Sequence, residues 1–345
     1  MAPGLGEFEL IARFFAPLAA RCPGALGLLD DAALIDERPG WSLVATTDTI
    51  VAGVHFPSEA APEDVVARLL GVNLSDLAAM GAEPAAYLLA LALPQGWTEG
   101  EAEAWLKGFA RGLGEGQRQH GVALAGGDTV ATPGPLTLTL TALGQVEAGQ
   151  ALLRAGARPG ERVYVSGSIG DAALGLRVLQ GGLGGLGEAE RGVLLDRYRR
   201  PRPRLALGRR LRRLATAAAD VSDGLVADLG HICEASNVSA RVDADRVPLS
   251  RAAAAAIAGD ETLLALALTG GDDYELVFTA DASRHGEVEE LARDLDLPLT
   301  AIGEILPPPP EPSPEPSPEP RPERVLVERG GRPLAFATAG WQHRR

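Results

Sequence analysis

The chain has 345 residues, 46% of them aliphatic, aromatic or sulfur-bearing and only 4% aromatic, enough for two domains with Ala, Leu and Val cores that need no disulfide or metal staples. Its 32 basic residues against 46 acidic ones leave a net charge of −14, which repels nucleic acid and anionic membranes. The single lysine, Lys107, lies in a Trp-Leu-Lys-Gly-Phe stretch that reads as an amphipathic helix, which excludes a Walker A loop, a protein-kinase lysine and a pyridoxal Schiff base.

In chain order, a helix is predicted over about 7–20 and a Val/Ile/Thr-rich strand over 41–51. The next helix opens on Pro62 and runs to Met80, with Val65, Val66, Leu69, Leu70, Leu74 and Leu77 at helical spacing and Gly81 as its stop. A buried strand over 87–93 follows. Thr98 and Glu101 form a capping box for a helix toward His120, and strands over 122–125 and 136–146 complete an N-terminal α/β domain of residues 1–148.

Residues 149–345 form a second α/β domain, with a strand from Arg162 and helices over 223–236 and 283–295. Between Pro307 and Pro322 ten of sixteen residues are proline, a composition that favours polyproline II and cannot build a core. Predicted strands over 300–305 and 325–328 flank it, so this stretch is a loop insert within the second domain. Cys22 and Cys233 are too few for a disulfide framework, the first residues lack the basic start of an export signal, and the longest apolar runs fall far short of the ~20 residues that span a bilayer. A cytoplasmic protein is expected.

The chemistry-bearing feature is aspartate beside Gly, Ser or Thr near the ends of strand-like runs. It recurs at Asp30-Asp31, Thr46-Thr47-Asp48-Thr49, Gly126-Gly127-Asp128-Thr129, Asp220-Val-Ser222-Asp223-Gly224 and Gly270-Gly271-Asp272-Asp273, while Asn73-Leu-Ser-Asp76 lies on the long apolar helix. Each alone is an ordinary turn. Together they are a set of hard oxygen donors, which suits Mg²⁺ and several ions of it, and a carboxylate on an apolar helix calls for a cation. A magnesium-rich acidic site in a chain without a phosphate-binding lysine points to phosphoryl transfer from a nucleotide, with Gly-rich backbone and an arginine helping to neutralise the phosphates.

These motifs, with Gly6-Glu-Phe-Glu-Leu-Ile-Ala-Arg, Val51-Ala-Gly-Val-His55-Phe56, Asn73-Leu-Ser-Asp-Leu-Ala-Ala-Met-Gly-Ala and Gly270-Gly-Asp-Asp-Tyr-Glu-Leu, resemble the thiamine-monophosphate kinases in order along nearly the whole chain. That family is similar to aminoimidazole ribonucleotide synthetase. The resemblance implies an N-terminal α/β domain that binds ATP and metal and dimerises through its sheet, and a C-terminal α/β sandwich. It implies direct transfer from ATP to thiamine monophosphate with several Mg²⁺ ions in a homodimer, without a phosphoenzyme. Carried over residue by residue, the metal ligands are Asp31, Thr46, Thr47, Asp48, Asp76, Asp128, Asp220 and Asp223. ATP falls to Gly127, Asp128, Arg154 and Ser222, and thiamine monophosphate to His55, Asp272 and Trp341. Asp48, Asp76, Asp128 and Arg154 are the catalytic set. The chain departs from the family pattern in Gly27-Leu28-Leu29 before Asp30, in Asp272 where the family carries Glu, and in the proline-rich insert.

Nine arginines between Arg197 and Arg213 read as a proline-broken linker and solvated helix face, with a nucleic-acid patch as the alternative. Competing functions are another ATP-using member of the same superfamily and a binding protein without turnover.

Overall fold

The computed structural model describes residues 7–30, 32–36, 38–308, 324–338 and 340. Asp31, Trp341 and most of the proline-rich insert lie outside them. The chain divides into one unit of residues up to 77 with 82–150 and 199–201, and a second of 78–81, 151–198 and 202 onward.

The predicted N-terminal helix is interrupted. Helix α1 (Glu7–Leu10) passes into a π-turn over Ile11–Phe15, in which the Ala16 N–H reaches back five residues to the Ile11 carbonyl, and then into α2 (Ala16–Ala19). The cause is Pro17, which has no N–H to donate and whose ring crowds the carbonyl four residues earlier, so the chain widens by one residue per turn there.

Unit 1 then runs β1 (Trp41–Val51), α3 (Pro62–Ala79), β2 (Glu83–Pro94), α4 (Glu99–His120), β3 (Ala123–Thr132) and β4 (Thr137–Glu147). Thr98 caps α4 and Glu101 returns the bond to the Thr98 N–H at 2.8 Å, while Gly121 closes the helix in the left-handed conformation. The strands order as β1-β4-β2-β3, with β2 and β3 parallel and the other neighbours antiparallel. Only the pair joined by α4 is parallel. A parallel pair needs a crossover of about a dozen residues, which α4 supplies between β2 and β3. Leu138, Leu140, Ala142, Tyr87, Leu89 and Leu91 are buried on one face of the sheet, and α3 is tied to β1 on that face by its polar residues Asn73 and Asp76.

Unit 2 carries β5 (Arg162–Ser166), α5 (Asp171–Leu179), α6 (Glu188–Arg199), α7 (Leu205–Leu211), β6 (Ala217–Asp220), α8 (Leu225–Ser236) and β7 (Ser239–Asp243). It continues through α9 (Arg251–Gly259), α10 (Leu263–Thr269), β8 (Leu276–Ala280), α11 (His285–Asp294), β9 (Leu299–Leu306), β10 (Val325–Arg329) and β11 (Arg332–Pro333). Seven strands order as β11-β10-β7-β9-β5-β8-β6, antiparallel except for β7 and β10. Strand alternation sends Val163 and Val165 to a core shared with α5, α8, α9 and α10, and Tyr164 to a second core with Phe278, α7 and α11. Helices on both faces of one sheet make unit 2 an α/β sandwich. No described helix is long and apolar enough to cross a membrane.

Five of the nine arginines between 197 and 213 are spent on carboxylates: Arg197 and Arg204 on Glu275, Arg200 on Asp64, Arg202 on Asp196 and Arg210 on Asp294.

Leu306 pairs with Ser239 and Val325 with Ala240, so the two ends of the insert are anchored at the same end of β7, two strand spacings or about 10 Å apart. Replacing residues 307–322 by a six-residue Gly-Ser bridge should leave the melting temperature within about 3 °C, because a shorter loop costs less closure entropy. Calorimetry on the deletion checks this, and a large fall would show that the insert supports the sheet.

Candidate active site

Unit 1 gathers an acidic cluster between β1 and α3. Asp76 sits three residues after Asn73 on the buried face of α3, and both reach the strand: the Thr46 hydroxyl donates to Asp76 Oδ2 at 2.5 Å, and the Asp48 N–H donates to Asn73 Oδ1 at 3.1 Å. Asn73 is fully buried and donates back to the Leu69 carbonyl at 2.9 Å. Burial, then the Asp76 carboxylate beside it, pushes the Asp48 acid up to about 6. Two half-buried carboxylates this close carry a proton between them or a cation instead. With Thr46 they form an all-oxygen donor set, without thiol or imidazole, that fits Mg²⁺.

The remaining unit 1 residues lie elsewhere, because neighbouring strand residues face opposite ways. Thr47 follows Thr46, so its hydroxyl turns to the other face, where it donates to the Leu140 carbonyl and accepts from Thr141. Asp128 shares that face, since its register partner Ala90 pairs with Thr139, which pairs with Thr49. The structure does not bring Thr47 or the Asp128 side chain to the Asp48–Asp76 pair. Both motifs lie within strands: β1 runs to Val51 as predicted, while β3 runs on to Thr132, past its predicted end at 125. Asp30, Gly127 and Asp128 instead line a cavity of about 710 Å³ whose wall is apolar, with Ile11, Phe15 and Leu88 among its residues. Glycine is required at 127, where a Cβ would overlap the Leu89 carbonyl of the adjacent strand. His55 accepts the Val51 N–H on Nδ1 at 3.1 Å, which leaves the ring proton of the neutral imidazole on Nε2.

Unit 2 assembles a second cluster from two loops. Beyond β6 and before β8 the chains stay paired: the Val221 N–H donates to Glu275, Tyr274 to Val221, and Asp272 to the Ser222 carbonyl at 2.9 Å. Asp220, Ser222, Asp223 and Asp272 are therefore neighbours, and the Tyr274 hydroxyl donates to Asp272 Oδ1 at 3.2 Å. Helix α8 begins at Leu225, two residues later than predicted, because the Ser222–Gly224 amides are bound elsewhere. All three donate to Oδ2 of buried Asp228, at 3.0, 3.0 and 3.1 Å. Burial pushes the Asp228 acid up to about 7, and those amides pull against it. Sequence reasoning missed Asp228; its signal was an acid four residues past Gly224, in the first turn of a helix. Asp223, Asp228 and His231 place a donor atom each within 4.8 Å of one another. Arg154 is exposed in a loop whose carbonyl accepts from Ser236. Asp31 and Trp341 lie outside the described residues.

Two domain models match the chain: AIR synthase related protein, N-terminal domain, over residues 29–146, and AIR synthase related protein, C-terminal domain, over residues 158–310. A thiamine-monophosphate kinase of Salmonella typhimurium is 41% identical over 339 residues, which is 98% of each chain. The crystal structure of thiamine-monophosphate kinase from Stenotrophomonas maltophilia K279a superposes with a TM-score of 0.81 at 46% identity, covering 96% of this chain and 98% of that one. AaThiL complexed with AMPPCP and TMP gives 0.74 at 28% identity, covering 98% and 97%.

The Asp48 acid is raised, so the folded chain holds a proton there that the unfolded chain releases above about pH 4. Its stabilising contribution is full below that pH and is lost as pH climbs through about 6. In chelator, the urea midpoint of the parent should therefore fall relative to that of Asp48→Asn between pH 4.5 and 7, and saturating Mg²⁺ should remove the difference. Parallel midpoints across that range would contradict the assignment.

Proposed function

The chain belongs to the thiamine-monophosphate kinase family, and on that footing we propose that it transfers the γ-phosphoryl group of ATP to thiamine monophosphate, giving thiamine diphosphate and ADP. The observation that carries this is the full-length likeness to thiamine-monophosphate kinases, 41% and 46% identical, which reaches both acidic clusters.

Magnesium, when bound, screens the two phosphates from each other and aligns them for in-line attack. Thr46, Asp48 and Asp76 would hold it in unit 1, Asp128 would act at the mouth of the apolar cavity, and Asp220 and Asp223 would act in unit 2; Asp31 keeps the ligand role that the family resemblance implies. The cavity beside Gly127 and Asp128 has the apolar wall that an adenine ring needs. Arg154 offers a planar fork to a phosphate, and Ser222 adds a hydroxyl donor. His55 donates from Nε2, and Asp272 presents a carboxylate to the cationic heterocycle of thiamine. The acceptor oxygen already belongs to a phosphate, so no side chain need form a covalent intermediate.

A cytoplasmic homodimer completes the reading. Leu43 and Val130 are 58 and 49% exposed on the open face of the four-stranded sheet, the same face as Thr47. An apolar face of that kind is what a second copy would cover.

Product analysis tests the proposal: equal amounts of thiamine diphosphate and ADP are expected, with activity lost in EDTA and restored by Mg²⁺. Free thiamine, which lacks the acceptor phosphate, should be a very poor substrate. ATP hydrolysis without thiamine diphosphate, or equal use of thiamine and its monophosphate, would contradict it. Asp76→Asn keeps an oxygen for the Thr46 hydroxyl and should fold, yet lower kcat at least about a hundredfold, ~2.7 kcal/mol of barrier. Near-normal kcat at limiting Mg²⁺ would remove Asp76 from the site.

A further inference from the structure

Asp272 and Tyr274 both have positive φ, +75° and +52°. Residues other than glycine hold this conformation only where the surroundings impose it. Here the surroundings are a buried polar network. Between the two, the Asp273 carboxylate accepts the Gly170 N–H at 2.6 Å and the Ala172 N–H at 3.1 Å, at the start of α5, and its carbonyl accepts Arg197 at 3.3 Å. Next along the chain, Glu275 is fully buried and takes the Ser166 hydroxyl at 2.6 Å, Arg197 at 2.8 Å and Arg204 Nε at 2.6 Å, with a second bond from Arg204. Gly167 makes room for it, since a Cβ there would overlap the Glu275 carboxylate.

Arg197 also approaches the buried Asp171 carboxylate at 4.0 Å, and a buried ion pair is a poor source of stability compared with apolar packing. What the network does secure is geometry. Planar donors from the end of α6 and the residue before α7 converge on Glu275 and fix where β8 begins, and with it the residues that lead into it. We propose that Arg197, Arg204 and Glu275 are positioning residues that hold Asp272 beside Ser222 and so set the affinity for the thiamine phosphate substrate. The proposal rests on the assignment of Asp272 to that substrate.

Arg204→Gln is the informative variant, because Arg197 stays on Glu275 and the glutamine amide can still donate a hydrogen bond in place of the guanidinium. Steady-state kinetics and hydrogen–deuterium exchange are measured together on the intact protein. The KM for thiamine monophosphate should rise about tenfold, with the KM for ATP within about twofold and kcat within about threefold, and Arg204→Lys should recover most of the loss. Exchange should quicken over 270–276 and stay unchanged elsewhere. Unchanged exchange there, or a parallel rise of both KM values with a lower melting temperature, would overturn the proposal. An active parent beside a variant with unchanged KM for thiamine monophosphate would overturn it alone. A parent that turns over no thiamine monophosphate would overturn the functional reading and this proposal with it.

Discussion

Carboxylates brought together out of water repel one another, and each unit of this chain is organised around holding such groups where they are needed. In unit 1 the answer is proton or cation sharing: Asp48 and Asp76 face each other across β1 and α3, and Asn73 and Thr46 lock the backbone and side chain that present them. Lysine is not used to relieve the repulsion, as the chain holds one lysine in all. A donor set of two carboxylates and a hydroxyl attracts a divalent ion, which suits a reaction between two phosphate groups.

Unit 2 solves the same problem with backbone amides and arginine. Asp228 gathers three consecutive N–H groups under the loop that carries Ser222 and Asp223, and Asp273 gathers two from the start of α5. Glu275 takes the arginines. Each of these buried acids shapes the backbone next to an aspartate that stays within reach of solvent. The acids divide between those that build loops and those the loops display, and the pairing of Val221–Ser222 with the residues before β8 brings the two loops side by side.

Most of the fold could be read from the sequence where one local rule dominates. The Thr98–Glu101 capping box, the Pro62 start of α3 and the Val/Ile/Thr run of β1 are such places. Reading failed where the outcome depends on a partner. Pro17 turned a plain helix into a π-turn, and sheet register put Thr47 and Asp128 on the face away from Asp48 although their motifs look alike along the chain. The arginine run was legible as basic, while the carboxylates that five of its members meet lie up to 136 residues away in sequence. Asp228 and Glu275 escaped notice for the same reason: in a helix turn and at a strand start they look ordinary, and only their tertiary donors single them out.

The most direct test of this account is Mn²⁺ binding to the intact chain, followed by electron paramagnetic resonance with and without a non-hydrolysable ATP analogue. More than one Mn²⁺ per chain should bind in the ternary complex, with a binding step lost in Asp48→Asn. Manganese held no more tightly than by the free nucleotide, with parent and variant alike, would contradict the claim that these carboxylates exist to hold metal.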